Sequence, residues 1–115
     1  MHTVVETPVF IRSADKAGIT DKERELIITT LATTPGAGDV MPGTGGARKI
    51  RFAAKGKGKS GGYRVISFFS GEDIPVFLLD VYAKGERIDL SQADKNVLKQ
   101  ILGQIVETYR SKDDE

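Results

Sequence analysis

Apolar and polar positions alternate along this chain in two rhythms, and the rhythms predict its elements. Val4 and Val5 make a short first strand. Thr7-Pro8 opens a helix, with Thr7 as N-cap and Pro8 at the first helical position, where its missing N–H costs little. Phe10, Ala14 and Ala17 line one face of that helix, and Gly18 is suited to end it. A second helix starts at Thr20, because Glu23 stands at the capping-box spacing. Asp21 and Glu23 in its first turn complement the helix dipole. Leu26, Ile27, Ile28 and Leu31 supply the buried face, and Pro35-Gly36 stops it.

Residues 36–46, GAGDVMPGTGG, carry five glycines and a proline and are expected to be loop. Three strands follow. Ala47–Ala53 alternates strictly, with Ile50 and Phe52 on one face and Lys49 and Arg51 on the other. Tyr63–Phe69 is rich in β-branched and aromatic residues. Pro75–Ala83 is the most apolar segment and is expected to be the central strand, covered on both faces. Lys55–Gly62 is a flexible cationic connection, and Gly71-Glu72-Asp73 turns the next hairpin. A final helix starts at the N-cap Ser91, with Asp94 at its third position. Leu98, Ile101, Leu102, Ile105 and Tyr109 recur at helical spacing, a stripe for core or docking. Residues 111–115 are expected to fray. Helices, a meander, then a helix predict an α+β class, with two N-terminal helices, an antiparallel sheet of about three to four strands and a C-terminal helix.

Composition narrows the chemistry. The 115 residues suit one domain over 1–115. With no Cys there is no disulfide framework and no thiolate metal site. The one histidine, His2, lies in an N-terminus expected to be mobile, so no internal His-based triad or His-ligated metal is available. No apolar run approaches the roughly 20 residues of a membrane span. The start, MHTVVETPVF, lacks the basic and apolar regions of a signal peptide. A cytoplasmic protein without cofactor or metal is expected.

The net charge of +1 argues against a nucleic-acid binder until its distribution is examined. Residues 40–71 contain no acidic residue and seven basic ones: Arg48, Lys49, Arg51, Lys55, Lys57, Lys59 and Arg64. That window carries +7 and leaves −6 on the remainder. The plainest interpretation is a solvated basic loop. However, seven cations without an interspersed carboxylate repel one another, and the cluster costs stability unless an anion sits there.

Two motifs fail on inspection. Gly58-Lys59-Ser60 resembles the end of a phosphate-binding loop, but position 53 is alanine and the segment does not lead from strand into helix. Gly43-Thr44-Gly45 lacks the last glycine of a dinucleotide fingerprint, since Arg48 occupies it. The acidic residues are too scattered for a metal cluster, and Asp89 and Asp94 are better explained by capping.

The basic constellation can surround a phosphate. Lys49 and Arg51 share a strand face, Arg64 returns on the neighbouring strand, and strands lie roughly 5 Å apart. Lys84, leaving the third strand, can complete the set. Tyr63 and Tyr82 offer faces for base stacking. Such a patch can bind RNA, and it can also cleave it. Cleavage requires a deprotonated 2′-OH, a stabilised pentavalent phosphate and a protonated 5′-oxygen. A lysine crowded by cations loses proton affinity and can act as acid or base near neutrality. Arginine supplies fixed charge to the phosphorane without any metal.

The run GTGGARKIRFAAKGKGKSGGYRVISFF, followed by PVFLLDVYAKGERIDLSQAD, resembles the RelE/HigB family of bacterial toxins, in its HigB-like branch. The resemblance spans nearly the whole chain. It implies a RelE-like fold and a ribosome-dependent mRNA endonuclease, an mRNA interferase that cuts codons in the ribosomal A site and so inhibits translation. It implies mRNA and the ribosome as partners, and a co-encoded antitoxin, a small helix-turn-helix protein. By position, Lys49 and Arg51 match the basic pair on the strand leading into the site. Arg64 matches the arginine of the returning strand, and Lys84 stands near the cation after the third strand. Proton handling falls to Lys49 or Lys57, and phosphate stabilisation to Arg51 and Arg64. Arg48, Lys55, Lys59, Tyr63 and Tyr82 are the accompanying RNA-binding candidates.

Two departures stand out. The stretch Gly85-Glu86-Arg87-Ile88-Asp89 lacks the tyrosine that relatives often place after the third strand to stack on a base. Ser67 occupies a position suited to an aromatic. Tyr82 is the substitute candidate for stacking. Two other functions fit the same sequence: a non-catalytic module gripping RNA or an acidic protein, and a gyrase-directed toxin of the same fold. The full basic set favours RNA cleavage over the latter.

Overall fold

In the computed structural model, the helices begin and end where side chains satisfy free backbone groups. Residues 1–54, 58–86 and 90–113 are described. Lys55, Lys57 and Asp89 therefore lie outside the described residues, and of Lys59 only the strand backbone is described. Helix α1 (Pro8–Ala17) opens at Thr7, whose hydroxyl accepts from the Phe10 N–H at 3.2 Å. It closes at Gly18, φ +71°, and the Gly18 and Ile19 N–H groups donate back to the Asp15 and Ala14 carbonyls. Helix α2 (Asp21–Thr33) carries the reciprocal capping box between Thr20 and Glu23. Ser91 and Asp94 make the same exchange at the start of helix α3 (Gln92–Asp113), both bonds at 3.1 Å. Helix α3 continues past the point where fraying was expected, because Val106 and Tyr109 pack onto the core and the Ser111 hydroxyl donates to the Glu107 carbonyl at 2.6 Å. None of the described helices is long and apolar enough to cross a membrane.

The expected α+β class holds, with a larger sheet. Strands β1 (Val4–Glu6), β2 (Asp39–Val40), β3 (Ala47–Ala54), β4 (Gly58–Phe68) and β5 (Val76–Ala83) form one sheet in the order β1-β5-β4-β3-β2. It is mixed, not purely antiparallel, because β1 pairs in parallel with β5 from Val4↔Val76 to Glu6↔Leu78. Two helices and three strands lie between the paired strands, ample length for the crossover that a parallel connection requires. Since β1 takes the outer edge, β4 is the central strand and β5 stands beside it. Val76, Phe77 and Leu78 of β5 are nevertheless buried on both faces.

Strand β2 lies inside the stretch expected to be loop. Asp39 and Val40 pair with Lys49 and Arg48. The glycines close this hairpin rather than prevent it: Gly43, Gly45 and Gly46 adopt positive φ, and the Met41 N–H bonds the Ala47 carbonyl at 2.8 Å. Buried Thr44 ties the turn together, donating to the Met41 carbonyl and accepting from the Ala47 N–H.

The sheet is apolar on both sides. Helices α1 and α2 cover one face through Phe10, Ala14, Ile27 and Leu31, which meet Ile50, Phe52, Val65 and Val81. Helix α3 covers part of the other through Leu102, against Ala47, Ile66, Phe68 and Phe77. Leu26, expected in the buried face of α2, is 55% exposed, because Ile27 and Leu31 define the inward stripe. Ile101 of the α3 stripe is likewise 47% exposed. Arg24 of α2 forms a salt bridge with Glu6 of β1, tying that helix to the sheet edge.

His2 is not mobile. Its backbone N–H bonds the Ala32 carbonyl, its ring Nε2 donates to the Ile74 carbonyl at 2.7 Å, and the ring meets Phe69 edge-on at 5.1 Å. These contacts hold it at the β4–β5 turn, the far end of the sheet from Arg64.

Two glycines allow a paired test of the packing. A Cβ at Gly62 of β4 would lie 2.2 Å from the Phe52 carbonyl oxygen, so β3 and β4 would have to separate. A Cβ at exposed Gly103 of α3 meets nothing within 4 Å. Urea titration should show Gly62→Ala destabilising by about 1–3 kcal/mol and Gly103→Ala stabilising by up to about 1 kcal/mol. Equal effects would contradict the close approach of β3 and β4.

Candidate nucleic-acid interface

The alternation of β3 decides which cations meet. Ile50 and Phe52 enter the α1–α2 core, so Lys49 and Arg51 take the opposite face. In the β3–β4 register Arg51 stands opposite Arg64, and in the β4–β5 register Arg64 stands opposite Tyr82. Arg51, Arg64 and Tyr82 therefore form one row across three strands. Lys49 sits two residues along β3 on the same face, opposite Ile66. Helix α3 packs over the farther half of this face; Lys49 and Arg51 are exposed, and Arg64 and Tyr82 are half-buried.

A bulge in β5 completes the row. Ile66 pairs with Asp80, but the next residue of β4, Ser67, pairs with Leu78. Leu79 is the extra residue, and it shifts the phase of the strand. Without it, the face that holds Phe77 would continue through Leu79 and Val81. With it, Val81 enters the α1–α2 core, and Asp80 and Tyr82 turn toward the cations. The Asp80 carboxylate accepts the Val81 N–H at 2.8 Å, which fixes the kink.

Arg64 has an uncommitted donor. Its Nη1 is buried and has no hydrogen-bond partner among the described residues. A buried guanidinium donor left unpaired is costly, and an anionic oxygen is the acceptor that relieves it. Burial pushes the Tyr82 hydroxyl above its ordinary value, Arg64 pulls it down, and Asp80 pushes it up again.

The remaining sequence candidates divide. Lys84 is exposed at the same end of the sheet, where its N–H bonds the Gly62 carbonyl at 2.8 Å. Arg48 faces the other way: it stands opposite Ser67 and donates to the Gly38 carbonyl. Tyr63 also turns away, packing against the α1–α2 core, and burial and then Glu23 push its hydroxyl up. Neither joins the Lys49–Arg51–Arg64 face, because the period of two sends every second residue to the opposite side. Ser67 is fully buried on that opposite face, so the missing aromatic there has no bearing on substrate stacking.

Two residues outside the sequence candidates line the same face. Lys95 of α3 shares a cavity of about 350 Å³ with Lys49 and Asp39. Asp80 shares a cleft of about 340 Å³ with Lys49 and Tyr82. A lone carboxylate in the apolar run PVFLLDVYA was a visible signal for Asp80. Lys95 had none, since nothing in the sequence docks α3 beside β2.

The Arg64–Tyr82 contact is open to direct measurement. Because Arg64 lowers the Tyr82 pKa, Arg64→Gln should move one tyrosine's titration to higher pH in an ultraviolet absorbance titration. An unmoved or lowered titration would rule out the row as described.

Residues 2–113 match a family model described as the RelE toxin of the RelE/RelB toxin–antitoxin system. The match covers nearly the whole chain, including every strand that contributes to the cationic face. This chain belongs to the RelE toxin family.

Proposed function

We propose that this protein is a metal-independent mRNA interferase of the HigB-like branch, a single toxin domain over 1–115 that cleaves mRNA in the ribosomal A site and so inhibits translation. Its partners are mRNA, the ribosome and a cognate antitoxin, a small helix-turn-helix protein, and it acts in the cytoplasm. The observation that carries this reading is the Arg51–Arg64–Tyr82 row beside Lys49, with the Arg64 Nη1 buried and unpartnered among the described residues.

The chemistry follows from that row. A phosphate diester seated on it accepts charge-assisted hydrogen bonds from Arg51 and Arg64. Attack by the 2′-oxygen places a further negative charge on the phosphorane, where two fixed guanidinium groups act most strongly. The bond to the 5′-oxygen then breaks, leaving a 2′,3′-cyclic phosphate and a 5′-hydroxyl. Lys49, on the same face, handles proton transfer; Lys57 is the second candidate for that task. Lys84 adds charge at the open end, and the Tyr82 ring gives an adjacent base a stacking surface. Lys55, in sequence between β3 and β4, and Lys59, at the start of β4, bind the flanking phosphates. The RNA-binding role considered for Arg48 and Tyr63 is not part of this proposal, since both lie on the other face.

Induced expression followed by primer extension on translated mRNA tests the proposal. Arg64→Ala and Lys49→Ala should each reduce cutting at codons by about a hundredfold or more while circular dichroism stays native. Undiminished cutting in both variants would refute the site. Growth arrest with DNA damage and intact mRNA would favour a gyrase-directed toxin instead.

Affinity for RNA should also depend on salt. About five phosphate contacts to a single strand give a log–log slope of roughly −3.5. A slope near zero in fluorescence anisotropy would leave the cationic face without a phosphate-binding role.

A further inference from the structure

The cleft beside the cations shares Lys49 and Tyr82 with the chemistry above, but its apolar walls and its carboxylates have no task there. It opens between the first half of α3 and the sheet, with a volume of about 340 Å³, inside the roughly 300–1,000 Å³ range of small-ligand sites. Its walls are mostly apolar: Ile66, Leu79, Leu98 and Ile101, with the Tyr82 ring among them. Ile101 is 47% exposed, so the cleft is entered from solvent. Two carboxylates line it, Asp80 and Asp94. Asp94 caps α3, accepting the Ser91 N–H at one oxygen, whereas Asp80 lies in the sheet register beside Arg64 and Tyr82. Asp80 has one oxygen on the Val81 N–H, and its second oxygen makes no hydrogen bond among the described residues.

Lys49 and Tyr82 belong to both the cleft and the cationic face. A phosphate held on that face leaves its neighbouring nucleotide beside this opening. A flat ring with apolar faces and a polar edge fits apolar walls that contain an aromatic ring and carboxylate acceptors, Asp80 being the one beside the cations. A carboxylate supplies only acceptors. It is met by the amino groups of cytosine, adenine and guanine. Uracil carries no amino group: its one edge donor, N3–H, lies between two carbonyl oxygens, which the carboxylate repels.

We propose that the cleft is a base-reading pocket in which Asp80 selects an amino-bearing nucleobase next to the scissile phosphate and rejects uracil. The assignment rests on the mRNA-cleavage reading above and adds the residue that sets its sequence preference. The β5 bulge is then a specificity device, since it turns Asp80 and Tyr82 toward the same opening.

The test uses translated mRNAs randomised at the nucleotides flanking each cut, with cleavage mapped by primer extension. The native chain should cut about tenfold less often, or rarer still, where uracil occupies one of the two flanking positions. Asp80→Asn keeps an oxygen for the Val81 N–H and adds an amide donor that uracil can accept, so the ratio between uracil and the other bases should approach one. Cutting by the native chain with no base preference at either flank overturns the pocket and leaves the mRNA-cleavage reading standing. So does a preference that survives Asp80→Asn unchanged. Complete absence of cutting by the native chain defeats both. Should Asp80→Asn fail to fold, the native chain's base distribution decides alone.

Discussion

The period of two in β3 is the constraint from which the rest follows. Once Ile50 and Phe52 are committed to the α1–α2 core, Lys49 and Arg51 must lie on the other face, and the register brings Arg64 opposite Arg51. That face cannot be fully covered. Extending α3 over it would bury three cations, and each buried ion costs several kcal/mol without a partner. Helix α3 therefore packs where the face is apolar, over Ala47, Ile66, Phe68 and Phe77. The uncovered half of the sheet is a consequence of where the charges sit, and it is the half on which the phosphate diester of the proposed function would rest.

The Leu79 bulge solves the complementary problem on β5. A regular strand running on from Phe77 would send Val81 to the cationic face and Tyr82 into the α1–α2 core. The cations would then meet an aliphatic side chain, and a hydroxyl would need a buried partner. One inserted residue exchanges the two. Phe77 serves the α3 core at one end of β5, Val81 serves the opposite core at the other, and Tyr82 joins Arg64. The change of phase requires an unpaired residue, and the Asp80 carboxylate satisfies the Val81 N–H there.

Much of this was legible in the sequence, and the parts that were not share a cause. The caps at Thr7, Thr20, Ser91 and Gly18 are local, since each needs only residues within a few positions, and each forms as expected. The cationic face of β3 follows from alternation alone. Pairing between distant segments has no such signature: the parallel union of β1 with β5 and the short β2 depend on tertiary contacts. His2 looked mobile because nothing local holds it, yet its partners are Ala32, Phe69 and Ile74. The bulge is hidden for a related reason. Alternation in PVFLLDVYA can be counted from either end, and only the register with β4 shows where the count breaks. Charge content alone could not separate Arg48 from Lys49, although adjacent positions on one strand face opposite ways.

Arg51 opposite Arg64 is a like-charge pair, which costs stability in a sheet. Two features limit that cost. Arg51 is solvent-exposed, so water and salt weaken the repulsion. Asp80, diagonal to Arg64 across β4 and β5, adds negative potential without closing a salt bridge onto it among the described residues. That separation matters. A carboxylate at position 82, directly opposite Arg64, would neutralise the guanidinium and occupy the donor a phosphate needs. Tyrosine at 82 keeps that donor free and supplies a ring beside it, while the carboxylate two residues away faces the adjoining cleft. The same few side chains thus keep the cationic row charged and set a carboxylate of opposite sign beside it, so that the nucleotide of the proposed function would meet the cations at its phosphate and the carboxylate at its base.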